Sequence, residues 1–352
     1  MKKLKRKAAL FCVVIWVLVF TCGCGKLTED TKIILTTGFE EDEIFRIENM
    51  SCHLPEAMIY LTNIQNQYES VYGEEIWEKD FGGISLEESV KETVLAQIAQ
   101  VKTMNLLAEQ HGVALDEREL NLAQKAAQEY MNSLTETESQ AMGTTEEIVY
   151  QLYCEYALAH KVYEFIIKDI NPEISDDEAR IITVQHILIK TYALDGTGKK
   201  IEYSESSKAD AREEAEAILE LARQEDSDFE ELVLKYSEGE TGNLSFGKGE
   251  IQADFEEVVF NLETGEISDV VETEYGYHII KCINTFNREE TDANKIKIVE
   301  KKREEVFGQE YDAFVETLTR NLNEELWETV SLIKNEDITT HTFFEIYNQC
   351  FS

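Results

Sequence analysis

Proline occurs only twice in the 352 residues, at Pro55 and Pro172, and the second marks a change in hydrophobic period. Before it, Ile148, Leu152, Tyr156, Ala159, Val162, Tyr163 and Ile166 keep the three-and-four spacing of a single helix face. After it, residues 181–189 form a nearly continuous apolar run with His186 inside it, which reads as a buried strand. The step Asn171-Pro172 disfavours helix at residue 171 and removes a backbone donor at 172, so the preceding helix must stop there. A chain with this break is expected to build a helical portion and then an α+β portion.

Local signals fill in the helical portion. Leu54-Pro55-Glu56 opens a helix over 54–72, with Pro55 in the first turn, where its missing N–H is harmless. Ser85 with Glu88 is a capping box for a helix ending at His111, stopped by Gly112. Asp116 with Glu119 starts another, and Thr145-Glu146-Glu147 starts one over 145–169. Ser175-x-x-Glu178 predicts a further short helix. Beyond the His186 strand, a polar loop over 195–200 leads to helices over 207–224 and 228–236. A Gly-containing loop, a short helix over 255–260 and strands over 268–273 and 277–283 complete this unit. The remainder reads as a long charged helix from Asn287 to about Leu322, a strand over 326–333, a small helix over 343–347 and a packed tail over 331–352.

The first residues bear on compartment. Lys2, Lys3, Lys5, Arg6 and Lys7 precede an apolar run over 8–21, shorter than the roughly 20 residues a spanning helix needs. A basic head, a short apolar stretch and small residues read as a secretory signal over 1–23, with an uncleaved anchor as the alternative. The run closes on Phe20-Thr21-Cys22-Gly23-Cys24-Gly25-Lys26, which resembles a bacterial lipoprotein cleavage site. That resemblance implies lipid on the cysteine after the cut, Cys24 in preference to Cys22, and an extracytoplasmic chain anchored to the cell membrane. Losing five positive charges and no negative ones with the signal moves the formal charge from −38 to −43. A chain so acidic lacks the clustered Lys and Arg that nucleic acid requires. Cys52, Cys154, Cys282 and Cys350 are scattered without a CxxC pair, so neither a disulfide framework nor a metal site is expected, and each reads as a small hydrophobe.

Val184-Gln185-His186-Ile187-Leu188-Ile189 resembles the first strand of parvulin-type rotamases. The likeness continues through Phe229-Glu230-Glu231-Leu232, Phe246-Gly247-Lys248-Gly249-Glu250, Phe255-Glu256-Glu257-Val258-Val259-Phe260 and Leu262-Glu263-Thr264-Gly265-Glu266-Ile267-Ser268. It ends in Glu274-Tyr275-Gly276-Tyr277-His278-Ile279-Ile280-Lys281. The flanking helices resemble the chaperone portion of foldases of the PrsA and SurA kind. The resemblance implies an α+β fold: a mostly helical chaperone domain over 24–177, an inserted FKBP-like rotamase domain of four antiparallel strands plus helices over 178–286, and a C-terminal helix and tail over 287–352 that pack back on the first domain. It implies peptidyl-prolyl cis–trans isomerase activity on unfolded, newly exported polypeptides containing X–Pro bonds, with no cofactor.

That reaction makes no covalent bond and needs neither nucleophile nor metal. It needs an apolar pocket for the proline ring and groups that favour the twisted amide over the planar one. By resemblance, Leu244, Ile251 and Phe255 line the pocket, Gln252 and Thr273 stand at its rim, and Tyr275 occupies a position that is aromatic or Ser in relatives. His186 and His278 match a pair of histidines on neighbouring strands. Relatives carry Asp or Cys beside that pair, where this chain has Gly239 in a shortened loop; Glu238 and Glu240 are the nearby carboxylates. This departure keeps a second reading open, a non-catalytic holdase with a degenerate rotamase domain. Taken alone, two histidines in apolar strands read as satisfied core residues, and Lys199 and Lys200 as loop decoration without a phosphate-binding role. His53, His111, His160 and His341 read as surface or helix-end residues. The aromatic residues of the first helices read as core or as an apolar cradle for clients. A solute-binding lipoprotein would require two α/β lobes, a pattern the sequence lacks.

Overall fold

The computed structural model describes residues 38–79, 83 and 85–351, so the expected signal and both candidate lipidation cysteines lie outside the described residues. The architecture that follows is that of the unit beginning at Glu43. No helix among the described residues is long and apolar enough to cross a membrane.

The unit opens with a hairpin that the sequence does not announce, β1 (Glu43–Ile47) and β2 (Met50–His53). Helix α1 (Leu54–Tyr72) follows without a loop; Glu56 accepts from the His53 N–H at 3.0 Å. Helix α2 (Leu86–His111) carries the expected Ser85/Glu88 box and ends on left-handed Gly112, and α3 (Glu117–Ser133) carries the Asp116/Glu119 box. A short helix α4 (Glu136–Met142), capped by Thr135 and Glu138, was not expected, and α5 (Glu146–Ile167) begins at Thr145. Their apolar faces meet around Tyr60, Leu61, Ile98, Tyr130 and Tyr153, all essentially inaccessible to solvent. Burying each such side chain contributes roughly 2–3 kcal/mol.

Between this bundle and the second unit, Ser175 and Glu178 cap only one turn. The Glu178 N–H donates to Ser175 Oγ at 3.0 Å and no helix propagates, a correction to the sequence reading. The capping signal is satisfied by this single turn, and the next strand begins four residues later, at Ile182.

The second unit contains β3 (Ile182–Lys190), the small hairpin β4 (Tyr192–Leu194) and β5 (Lys200–Glu202), then α6 (Glu205–Ala222) and α7 (Phe229–Tyr236). It continues with β6 (Leu244–Phe246), α8 (Ala253–Val259), β7 (Val271–Thr273) and β8 (Gly276–Asn284). The sheet order is β6-β3-β8-β7 and every pair is antiparallel. Side chains alternate across it. Ile187, Ile189, Tyr277 and Ile279 face α6 and α7, whereas Ile182, Val184, Ile280 and Cys282 face α8 with Phe246, Phe255 and Val259.

Helix α9 (Arg288–Val315) is shorter than the charged stretch suggests. It stops because residues 320–322 are needed elsewhere: β9 (Arg320–Leu322) pairs antiparallel with β1 and closes a three-stranded sheet, order β2-β1-β9. The strand expected over 326–333 is instead helix α10 (Glu324–Thr329) followed by irregular chain. Asn323 sets this outcome, its side chain accepting from the Leu326 N–H at 3.2 Å as an N-cap. Helix α11 (Phe343–Phe351) ends the described chain, and Phe343, Ile346 and Tyr347 are buried in the first unit's core. His160 also departs from expectation: it lies on α5 beside Tyr156 and Tyr347, and burial lowers its pKa.

Candidate active site

Strand pairing brings two distant histidines together. Leu188 stands opposite His278, and His186 opposite Ile280, so His186 and His278 are diagonal neighbours on the face covered by α8. Their rings stack at 15° with centroids 5.2 Å apart, and their Nδ1 atoms are 3.1 Å from each other. His278 Nε2 lies 2.9 Å from Thr273 Oγ1 across the β7–β8 hairpin. Thr273 in turn accepts from the Tyr275 N–H at 3.1 Å. Two residues, Glu274 and Tyr275, form the turn of this hairpin. Gly276 closes it at φ 137°, where a Cβ would stand 2.1 Å from the Ile189 carbonyl oxygen, so only glycine lets the turn lie against β3.

Both imidazoles are buried, and burial lowers both pKa values. His278 is pushed down to about 3, by burial and then by its neighbour His186. His186 is lowered by burial, with Glu240 pulling in the opposite direction. Both are therefore neutral at pH 7, and facing Nδ1 atoms then require one donor and one acceptor. If Thr273 donates to His278, the His278 Nδ1–H donates to His186, which carries its hydrogen on Nε2; the reverse arrangement leaves a lone pair there. The three side chains form one hydrogen-bonded line whose last atom is His186 Nε2.

Helix α8 brings the apolar part. Phe255 sets its ring edge-on to both imidazoles, 5.8 Å from His186 and 5.1 Å from His278. Phe246 packs on it at 6.1 Å, and half-buried Leu244 and Ile251 join the same cluster. Gln252 is the N-cap residue of α8, and its side-chain amide bonds to Glu274 rather than to its own helix. Tyr275 is 43 % exposed at the turn. The eight residues singled out from the sequence thus fall into connected groups: His186, His278 and Thr273 form the hydrogen-bonded line, Leu244, Ile251 and Phe255 share one apolar cluster, and Gln252 and Tyr275 join at the β7–β8 turn through Glu274 and Thr273.

Gly239 also lies here. A Cβ on it would stand 3.8 Å from His186 Nε2 and 3.2 Å from Leu188 Cδ2, so a side chain at 239 would project beside the imidazole. The segment is held along β3: Ser237 Oγ accepts from the Leu188 and Gly239 N–H groups at 3.2 and 3.3 Å, and Glu238 N–H donates to the Leu188 carbonyl at 2.8 Å. The Glu238 carboxylate accepts from the Lys190 N–H at 2.6 Å and is not directed at the histidines. Glu240 is exposed and acts on His186 through its charge.

Sequence reasoning missed the fastening of the rim. Lys200, read as loop decoration, donates to the Glu274 carbonyl at 2.6 Å and lies over the rings of Tyr192 and Tyr275 at 5.0 and 5.5 Å. The signal was present in Asp195-Gly196-Thr197-Gly198, a hairpin turn between two short β-prone runs. Without the β4–β5 pairing, nothing connects Lys200 with a turn more than 70 residues away.

A floor of neutral hydrogen-bonding groups under an aromatic wall suits a reaction whose transition state is less polar than its ground state. Twisting an amide removes resonance, shifts charge from oxygen back to nitrogen and frees the nitrogen lone pair.

The PPIC-type PPIase domain family, a rotamase, matches residues 186–284. The foldase protein PrsA of Clostridium botulinum is 25 % identical over 355 residues, covering 95 % of this chain and 98 % of its own. That of Caldanaerobacter subterraneus is 24 % identical over 286 residues, 79 % of this chain and 82 % of its own. The crystal structure of PrsA from Bacillus cereus, 20 % identical, covers 76 % of this chain and 97 % of its own with a TM-score of 0.35. Residues 186–284 therefore carry a parvulin-type peptidyl-prolyl cis–trans isomerase domain, and over most of its length the chain is similar to foldases of the PrsA type.

Proposed function

We propose that the protein turns over X–Pro bonds in unfolded, newly exported polypeptides, and acts as a chaperone for them, at the outer face of the cytoplasmic membrane, held there by lipid on Cys24. The observation that carries the catalytic part is the line Thr273–His278–His186 ending beneath Phe255, with contacts of 2.9 and 3.1 Å. In this reading the proline ring sits against Phe255, Leu244 and Ile251. His186 Nε2 and the Gln252 amide are the polar groups within reach of the twisting amide, and Thr273 and His278 position His186. Tyr275 lies beside the residues flanking the proline. In this reading the neutral Thr273–His278–His186 line favours the less polar twisted amide.

The test is the isomerisation rate of tetrapeptides with varied residues before proline, measured on the folded mature chain beside Phe255→Ala. Acceleration by the parent that falls about tenfold or more in the variant supports the assignment. A folded parent without acceleration moves the reading to a holdase, favoured by Gly239, which puts no side chain beside His186. The anchor has its own test, since Cys24→Ala should release the chain from the membrane fraction and Cys22→Ala should not. The opposite result would move the lipid to Cys22.

A further inference from the structure

Helix α1 carries the run Asn63-Ile64-Gln65-Asn66-Gln67, and the side chains of Asn63, Gln65 and Asn66 are buried. Amides are expensive to bury unless their hydrogen bonds are met. Within the bundle, Asn63 donates to Ile59 and Tyr130 and Gln65 to Glu69; the rest is met in an unusual way, by the main chain of residues 330–343, most of which is neither helix nor strand. Gln65 engages both groups of Ile333, donating to its carbonyl at 2.9 Å and accepting from its N–H at 3.0 Å, as a neighbouring strand would. Asn66 donates to the Thr340 carbonyl at 2.7 Å, and Asn63 accepts from the Phe343 N–H at 3.1 Å. The Glu138 carboxylate accepts from the Thr339 and Thr340 N–H groups, both at 2.9 Å. The Tyr153 hydroxyl donates to the Phe343 carbonyl at 2.8 Å. The Phe343 ring, 1 % exposed, is boxed by Tyr153, Tyr130 and Tyr60 at 4.5, 5.3 and 5.5 Å.

An ordinary internal segment satisfies its backbone within a helix or a sheet. This one is held from outside, by side chains that address the atoms every amino acid shares, with a single aromatic anchor. That is how an extended peptide is bound without regard to sequence. A groove built this way distinguishes its own tail from another chain only through the side chains that fill its apolar pockets.

We propose that the groove formed by α1, α3, α4 and α5 is a binding site for extended, unfolded polypeptide, and that residues 330–343 occupy it as an internal ligand which a client bearing an aromatic residue displaces. This rests on the chaperone part of the function proposed above and names the surface that performs it. The incoming main chain replaces each hydrogen bond in kind, and its aromatic residue replaces Phe343 among the three tyrosines. The exchange is therefore close to balanced in hydrogen bonding, and its direction follows from the concentration of unfolded chain and its apolar content.

The experiment uses the whole mature chain and reduced, carboxymethylated α-lactalbumin, which stays unfolded. Binding is read from the anisotropy of the labelled probe, and tail release from amide hydrogen exchange of residues 331–343. At saturation those amides should exchange about tenfold faster while β3 and β8 are unchanged. Probe binding with unaltered exchange in this stretch overturns the inference while leaving the chaperone reading standing. Absence of probe binding, both to the parent and to Phe343→Ala, sinks the chaperone reading itself. Folded Phe343→Ala, whose groove residues are intact, should bind the probe more tightly, and unchanged or weaker binding counts against the proposal. If that variant does not fold, the exchange measurement on the parent decides alone.

Discussion

Each of the two regions buries a cluster of ionisable side chains, and they solve the problem in opposite ways. In the sheet, His186 and His278 stay neutral and share hydrogen bonds in a line that ends at His186 Nε2. In the helices, Lys102 of α2 is fully buried, with Nζ 2.6 Å from Glu56 of α1 and 2.8 Å from Glu155 of α5. Its charge survives there because two carboxylates hold it, and their pull raises its pKa against the opposing effect of burial. Burial raises the pKa of Glu155 more than Lys102 lowers it. The ionic cluster fastens three helices and is closed on every side. The neutral one ends in an imidazole nitrogen, His186 Nε2, beside the edge of Phe255. A buried charge that needs all its partners is fit for holding helices, whereas a neutral pair with one unspent position is fit for chemistry.

The comparison breaks most visibly at Lys102. Lys102→Met leaves two buried carboxylates without their cation and should cost about 3–5 kcal/mol. Urea titration followed by tryptophan fluorescence reads this region, because Trp77 and Trp327 lie outside the rotamase unit and that unit has none. Unaltered isomerase turnover in the variant below its transition would show that the two regions fold independently.

Acid should separate them next. The folded-state pKa values of His186 and His278 lie below the ordinary imidazole value near 6.5, so the unfolded chain binds protons first. Their contribution is fully present above pH 6.5 and is lost as pH falls from there toward the folded value, about 3 for His278. The slope approaches about 1.4 kcal/mol per pH unit for each proton taken up. Glu155 works in the opposite sense: its raised pKa stabilises the fold below about 4.5 and that contribution fades as pH rises through the folded value. His160 is the helical region's one lowered imidazole, so between pH 6.5 and 4.5 its acid slope should be the shallower. Hydrogen exchange of β3 and β8 against α2 and α5 across that window checks this. Equal slopes would contradict the burial argument.

Smaller effects sharpen the reading of the neutral line. Thr273→Val removes the partner of His278 Nε2 and should lower turnover several-fold, about 1 kcal/mol, and shift the pH profile rather than abolish activity. An unchanged profile would detach Thr273 from the histidines. Gly239→Ala places a methyl group 3.2 Å from Leu188 and should change stability by about 1 kcal/mol or less. Gly239→Cys additionally puts a polar group beside His186. A gain in turnover from Cys but not Ala would show that the missing side chain limits the site.

Much of this was legible because it is local. The capping boxes at Ser85 and Asp116 set helix starts through bonds spanning three residues, and the period change after Pro172 set the α+β character. The motif around Gly276 was legible as a turn, although the reason it must be glycine, the backbone of β3 at Ile189, is tertiary. Elements that fail alone were not legible. Strands β1 and β9 are short, lie more than 270 residues apart and exist because they pair. Residues 326–333 read as β-prone, yet Asn323 capped a helix first.

The sequence by itself determined the two-part character of the chain and most helix boundaries, since these depend on backbone preferences and short-range hydrogen bonds. Only the tertiary structure decided that His186 meets His278 rather than resting singly in the core, that Lys200 reaches Glu274, and that Lys102 is buried between two carboxylates. Each joins groups between 46 and 92 residues apart. No local pattern encodes such a meeting; it follows from strand register and helix packing.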